Sequence, residues 1–382
     1  MLKAFSKYRL PIHPRRELVM LVSITGLIIV LFIGVTALSR LFYTQQDDLA
    51  ARWSARGAAD LAAARFSDAM NDYRASLRYA PDSSAIQLGM AEALIGLKRP
   101  SEASAYLVNL WQAQPENGVV NRELARIAAG ENNSRGALRY YHNAIYAIWS
   151  GDAERQRRDT RWELVRYLLG IKAFAQAQSE LIALAAEVGE DPGQQIELGH
   201  YFLKVQDNQR ALAAFRLSLH ADPHNQAALA GAGAAAFSMG DYSRAREFLQ
   251  TAVKESPADR ESQNLLDVAE QVDQLDPYRR QISDAERDRA VIGAFQTAGQ
   301  RLKSCPAAAR APMVVGAPET LNDAWTKLEP QVTARDLRRN QDVVNRALSL
   351  AFRIERQAVS QCGSGSSADA ALILISKLHE GS

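Results

Sequence analysis

The sequence predicts an all-α protein, and three observations carry that prediction. Alanine is abundant while aromatics are 7% of 382 residues, and alanine is a good helix former and a poor strand former. An uncharged apolar run lies near the N-terminus. Small and large residues recur every 34 positions through the middle of the chain. The predicted architecture is an N-terminal transmembrane helix, an α-solenoid of about six helix pairs with a capping helix, and a small helical C-terminal module. The corresponding spans are a cytoplasmic basic segment at 1–17, the transmembrane helix at 18–38, the solenoid at 50–275 and the module at 276–382. A net charge of +2 excludes a global polycation for nucleic acid, and two cysteines exclude a disulfide-dense scaffold or a four-cysteine metal site.

Residues 18–38, LVMLVSITGLIIVLFIGVTAL, carry no charge. At 1.5 Å per residue a helix of that length spans about 30 Å, the thickness of a bilayer's hydrocarbon core. Residues 1–16 hold Lys3, Lys7, Arg9, Arg15 and Arg16 and no acid. The positive-inside bias places the N-terminus in the cytoplasm and the bulk of the chain across the membrane. In a bacterium that is the inner membrane facing the periplasm. A cleaved signal peptide is the rival: Val35-Thr36-Ala37 offers small residues to a signal peptidase. The run is longer than the 7–15 residues of a signal core, which favours an uncleaved anchor.

Ala69, Ala103 and Ala137 are 34 residues apart, as are Ala177, Ala211 and Ala245, with six extra residues between the triplets. Repeats follow at 50–83, 84–117, 118–151, 158–191, 192–225 and 226–259, and 152–157 is an insert. The eighth position holds Gly57, Ala91, Ala125, Val165, Gly199 and Gly233. The twenty-fourth holds Tyr73, Leu107, Tyr141, Leu181, Phe215 and Leu249, and the thirty-second holds Pro81, Pro115, Pro223 and Pro257. Paired helices approach where one offers a small residue to a large knob on the other, and proline ends the second helix.

This pattern resembles the tetratricopeptide repeat over residues 50–259. Trp53, Gly57, Ala69, Tyr73 and Pro81 carry the likeness in the first repeat, and Leu198, Gly199, Phe202, Ala211, Phe215 and Pro223 in the fifth. The third repeat departs with Trp149 in the proline position, and the fourth lacks the small residue. Residues 260–275 read as a cap with one apolar face and one polar face.

Four helices are expected beyond Pro277: from Ser283 or Asp284 to about 303, 318–328, a long one at 333–361, and 367–379. A surface loop is expected at 307–318. Cys305 and Cys362 each stand at a predicted helix end. In an oxidising compartment they would pair and constrain the unfolded chain by about 4 kcal/mol; two unrelated buried cysteines are the alternative. No family is evident for this part.

The sequence holds no Gly-rich phosphate loop, HExxH, GxSxG or CxxC. No metal site, cofactor or enzyme activity is expected, and the acids are spread along helix faces. The resemblance implies a concave groove, lined by the first helix of each repeat, that holds a partner's peptide. In this register the groove includes Arg122, Arg126, Trp162, Arg166, His200 and Lys204, a basic strip suited to an acidic partner. Solvated surface charge is the alternative reading. The first and sixth repeats offer Ala51, Ser54, Ala58, Ala227, Ala230, Ala234 and Phe237 instead. The expected function is a membrane-anchored scaffold in assembly of a cell-envelope complex. The alternatives are an accessory subunit docking through the C-terminal module, or an enzyme with its site in 276–382.

Overall fold

The computed structural model describes residues 14–313 and 319–379. Among the described residues there are nineteen α-helices and no β-strand. The chain forms two compact units, Met1–Leu164 and Val165–Ser382. The boundary falls inside one helix, α7 (Ala153–Gly170), and not at the 275/276 junction expected between solenoid and tail.

The first unit opens with α1 (Pro14–Ala62), a single 49-residue helix. The large apolar side chains between residues 18 and 38 are 53–71% exposed, so the described chain leaves this stretch uncovered, a candidate membrane span. The basic residues of segment 1–13 lie outside the described residues. The helix does not stop after residue 38. It continues through 39–49 and becomes the first helix of the first repeat, with no linker. Where it enters the repeat, the Ser76 hydroxyl donates to the Ala50 carbonyl at 2.7 Å. Arg56 grips the buried Asp72 carboxylate with two bonds of 2.6 and 2.7 Å.

Consecutive helices then pack in pairs: α2 (Phe66–Leu77), α3 (Ser84–Gly96), α4 (Pro100–Ala113), α5 (Gly118–Gly130) and α6 (Ser134–Ile145). Tyr73 on α2 shows why. Its ring lies against Gly57 and Gly89 at once, so a Cβ built on Gly89 would come within 2.3 Å of it. The twenty-fourth residue thus fills a gap on the first helix of its own repeat and of the next. Trp149, in place of a proline, does similar work in the third repeat. It is buried over Gly118, and its indole N–H donates to the Ala144 carbonyl at 2.8 Å. The insert at 152–157 is mostly helical, with Ala153 onward forming the first turns of α7.

The second unit continues with α8 (Phe174–Val188), α9 (Pro192–Lys204), α10 (Asn208–Ala221), α11 (Gln226–Ser238), α12 (Tyr242–Glu255) and α13 (Arg260–Leu275). Phe215 on α10 occupies the gap made by Gly199 and Gly231, as Tyr73 does in the first unit. The tail holds α14 (Asp284–Ser304), α15 (Pro306–Ala309), α16 (Leu321–Leu328), α17 (Ala334–Arg339), α18 (Gln341–Cys362) and α19 (Ser367–His379). It packs directly on the last helix of the repeats. Ala269, Val272 and Leu275 of α13 share one core with Ala371, Leu372 and Ile375 of α19 and with α14 and α18. The expected cap is therefore itself covered by the C-terminal helix. The long helix expected at 333–361 is broken at Asn340, which leaves helical geometry and accepts the Asp342 N–H to start α18. The loop expected at 307–318 begins with the helical turn of α15; residues 314–318 lie outside the described residues.

Cys305 and Cys362 are bonded, with 6.1 Å between their Cα atoms, and they tie α18 to the end of α14. Beneath the bridge lies a buried charge cluster. Arg301 Nε is 4.0 Å from both Glu355 and Asp369, and its guanidinium also donates to the Gly363 carbonyl. Glu355 is wholly buried, and neither of its oxygens finds a hydrogen-bond partner. Burial, then the Asp369 charge, pushes its carboxyl up to about 8 against the Arg301 attraction.

Two predictions follow from these positions. Ala64, Lys98, Asn132, Lys172 and Gln206 all have φ between +56° and +61° at the turn inside successive repeats, and Gly240 holds the same place in the sixth. Only glycine adopts this geometry without strain. Lys98→Gly and Gln206→Gly should each stabilise the fold by about 0.5–1 kcal/mol in urea titration. Secondly, folded Glu355 keeps its proton over a range where the unfolded side chain has lost it. Its stabilising effect is complete at low pH and disappears as pH rises through about 8. The melting temperature of the second unit should fall between pH 5 and pH 8, and Glu355→Gln should flatten that slope.

Candidate functional site

The first helix of each repeat, the A helix, supplies the face expected to form a groove. Its geometry starts from the helical period: positions five, nine and, one turn on, twelve or thirteen share a side.

In the first unit, Arg122 and Arg126 lie on this face of α5, but neither is a free cation. The Arg122 guanidinium stacks over Trp149 at 5.0 Å from the ring centroid and donates to Gln156 at 2.8 Å. Arg126 donates to Glu123 at 2.7 Å and, through Nε, to Glu163 of α7 at 2.9 Å. The hydrogen bond with Glu163 holds the Arg126 pKa above its ordinary value. Glu123 is buried, and burial raises its carboxyl in spite of the two arginines. Trp162 is 6% exposed, so its ring packs inside the repeat rather than standing open to a partner.

In the second unit, Arg166 meets Glu197 of α9 at 3.4 Å. His200 packs edge-to-face on Phe215, 5.1 Å between centroids. Desolvation, then the Lys204 charge, lowers its pKa. Lys204 is exposed and lies over the Tyr201 ring at 5.2 Å. On α11 the face is different: Ala227, Ala230, Ala234 and Phe237 are half-buried, with Phe237 edge-on to Tyr242.

The residues missed at the level of sequence are therefore the acids. Glu123, Glu163 and Glu197 all occupy the sixth position of their repeats, and Arg126, Arg166 and His200 the ninth. The 34-residue register contained that signal, and it shows most clearly when repeats three to five are aligned across the insert. What looked like a basic strip is a ladder of alternating charge.

Among the described residues no group of three His, Cys, Asp or Glu side chains is placed to hold a metal ion. In the tail, an open cavity lined by Met313, Ala324, Lys327, Asn345, Arg346 and Leu350 does not include the buried Arg301, Glu355 or Asp369. The polar cluster is sealed by its own packing.

A tetratricopeptide repeat family model matches residues 60–127 and 202–267. No curated protein matches the sequence. Solved structures that are similar include PilF of Pseudomonas aeruginosa, at 16% identity over 57% of this chain and 97% of that one, TM-score 0.41. YrrB, described as a repeat protein with an unusual peptide-binding site, is 14% identical over 50% of this chain and 95% of that one, TM-score 0.41. PilW, described as a type IV pilus biogenesis factor, is 15% identical over 57% and 98%, TM-score 0.40.

The burial of Trp162 generates its own prediction. Trp162→Ala should destabilise the protein by about 3–5 kcal/mol through the cavity it leaves, seen as a shifted midpoint in urea denaturation.

Proposed function

We propose that this chain, a tetratricopeptide repeat protein, is a non-enzymatic scaffold anchored in a membrane, which holds a segment of a partner protein on the inner face of its A helices. Residues 18–38 span the bilayer with the N-terminus in the cytoplasm. The repeats and the tail lie on the other side, the periplasm if the cell is bacterial, where they support assembly of a cell-envelope complex.

One observation carries the reading of the groove. The A-helix face of α11 keeps Ala227, Ala230 and Ala234 partly exposed, while Ala228, Ala232, Ala235 and Ala236 of the same helix are fully buried, which leaves a smooth surface against which a peptide can pack closely. The uncovered apolar stretch of α1 supports the anchor. The acid-free basic segment before it supports the orientation, and the bonded cysteines agree with an oxidising compartment.

The topology is tested by fusing alkaline phosphatase or a cytoplasm-restricted fluorescent protein after Ser382. The phosphatase fusion should be active and the fluorescent one dark; the reverse result overturns the orientation. The groove is tested by Ala230→Arg with Ala234→Arg. The double variant should lose the proteins that co-purify with the wild type in mild detergent while keeping its helix content. Full recovery of those proteins would place the interaction elsewhere.

A further inference from the structure

The charge ladder has one rung of the wrong sign. Position nine of a repeat faces position six of the next: Arg126 meets Glu163 in the first unit, and Arg166 meets Glu197 in the second. In the second repeat position nine is Glu92, and position six of the third is Glu123. A carboxylate stands where the ladder elsewhere places a guanidinium. Glu92 is half-buried on α3, and no hydrogen bond or ion pair ties it to another described residue. The nearby cations are already engaged. Arg126 is shared between Glu123 and Glu163, while Arg122 stacks on Trp149 and bonds Gln156. Three carboxylates against two guanidinium groups leave one negative charge over. Burial, then the Glu123 charge, raises the Glu92 carboxyl, as two facing acids require.

A cavity of mixed polar and apolar lining lies on the same helices as this pair. Leu88 lies four residues before Glu92 and Val119 four before Glu123, so each shares a helix face with its acid. Together with Ile148 they form the apolar part of an open cavity of about 270 Å³, whose polar part is Gln114, Asn117, Ser150 and the carboxylate of Glu116. Ile148 is 70% exposed and Tyr146 77%. The backbone holds Ile148 in place: its N–H donates to the Glu116 carbonyl at 2.8 Å, and its carbonyl accepts the Gly118 N–H at 3.0 Å. Trp149, the next residue, is buried. An isoleucine pinned in solvent beside Leu88, Val119 and an excess of acid is complementary to an apolar side chain followed by a cation.

We propose that this stretch of the first unit takes an extended peptide segment of the partner, with an apolar side chain in the cavity of Leu88, Val119 and Ile148 and a lysine or arginine against Glu92 and Glu123. This rests on the groove reading above and reverses the polarity that the arginines alone suggest, because those arginines are committed to Glu123, Glu163 and Gln156.

The test uses the full chain in detergent and an array of capped twelve-residue peptides. In each, one leucine precedes a lysine, a glutamate or a serine at a spacing of one to four residues. Lysine peptides should bind at least about ten-fold more tightly than their glutamate and serine counterparts, and the preference should weaken with salt. Glu92→Gln should remove the preference, and Ile148→Ser should weaken the leucine peptides while keeping it. Glu92→Arg supplies the missing rung, so it should abolish lysine-peptide binding and raise the melting temperature. Preference for glutamate peptides would overturn this proposal and leave the groove reading standing, whereas retention of no peptide counts against both. An unchanged preference in Glu92→Gln, or a lower melting temperature in Glu92→Arg, would also overturn it.

Discussion

The first and fifth repeats each depend on a large side chain that fills the gap left by small residues on two helices at once. The Tyr73 ring sits between Gly57 and Gly89, and the Phe215 ring between Gly199 and Gly231. Removing such a ring costs about 3–5 kcal/mol in cavity terms. A methyl group added to Gly89 or Gly231 would stand 2.3 Å from ring carbon, too close to accommodate without displacing a helix. On the A helices of the third to fifth repeats, position nine meets position six of the next repeat, Arg126 with Glu163 and Arg166 with Glu197. Ion pairs at this degree of exposure add little stability of their own. They cancel the charge of the face, and that decides what the face can recognise.

The repeat pattern could be read from residue identities because its physics is local. A glycine, a ring and a proline at fixed spacing describe a packed pair, and the left-handed residues at 64, 98, 132, 172, 206 and 240 keep the same register across the insert. The candidate site was less legible. Arg122, Arg126 and Arg166 stand on the expected face, but a side chain's partner depends on the neighbouring helix, so their neutralisation by glutamates required the fold. Trp162 looked like an anchor because it stands in register with the basic strip, yet its side chain is buried. In the tail, Asn340 interrupts an otherwise even apolar period by capping a new helix, and the docking of α19 on α13 joins residues about a hundred positions apart, beyond the reach of periodicity.

Continuity of α1 gives the first repeat a fixed relation to its apolar stretch. Eleven residues of helix, 39–49, separate that stretch from Ala50, which lies about 18 Å along the axis from residue 38 at the helical rise, and no flexible linker intervenes. With the anchor reading adopted here, a partner of the first unit is met close to the bilayer. The disulfide and the α19 contact close the opposite end of the chain.

The claim that those faces bind the partner is tested most directly by photo-crosslinking in intact cells. A benzoyl-phenylalanine probe placed at Ala230, on the A-helix face of α11, is compared with one at Leu217, which is exposed on the second helix of its repeat. The account predicts a discrete crosslinked species from position 230 and none from position 217. A crosslinked species from 217 alone would contradict it.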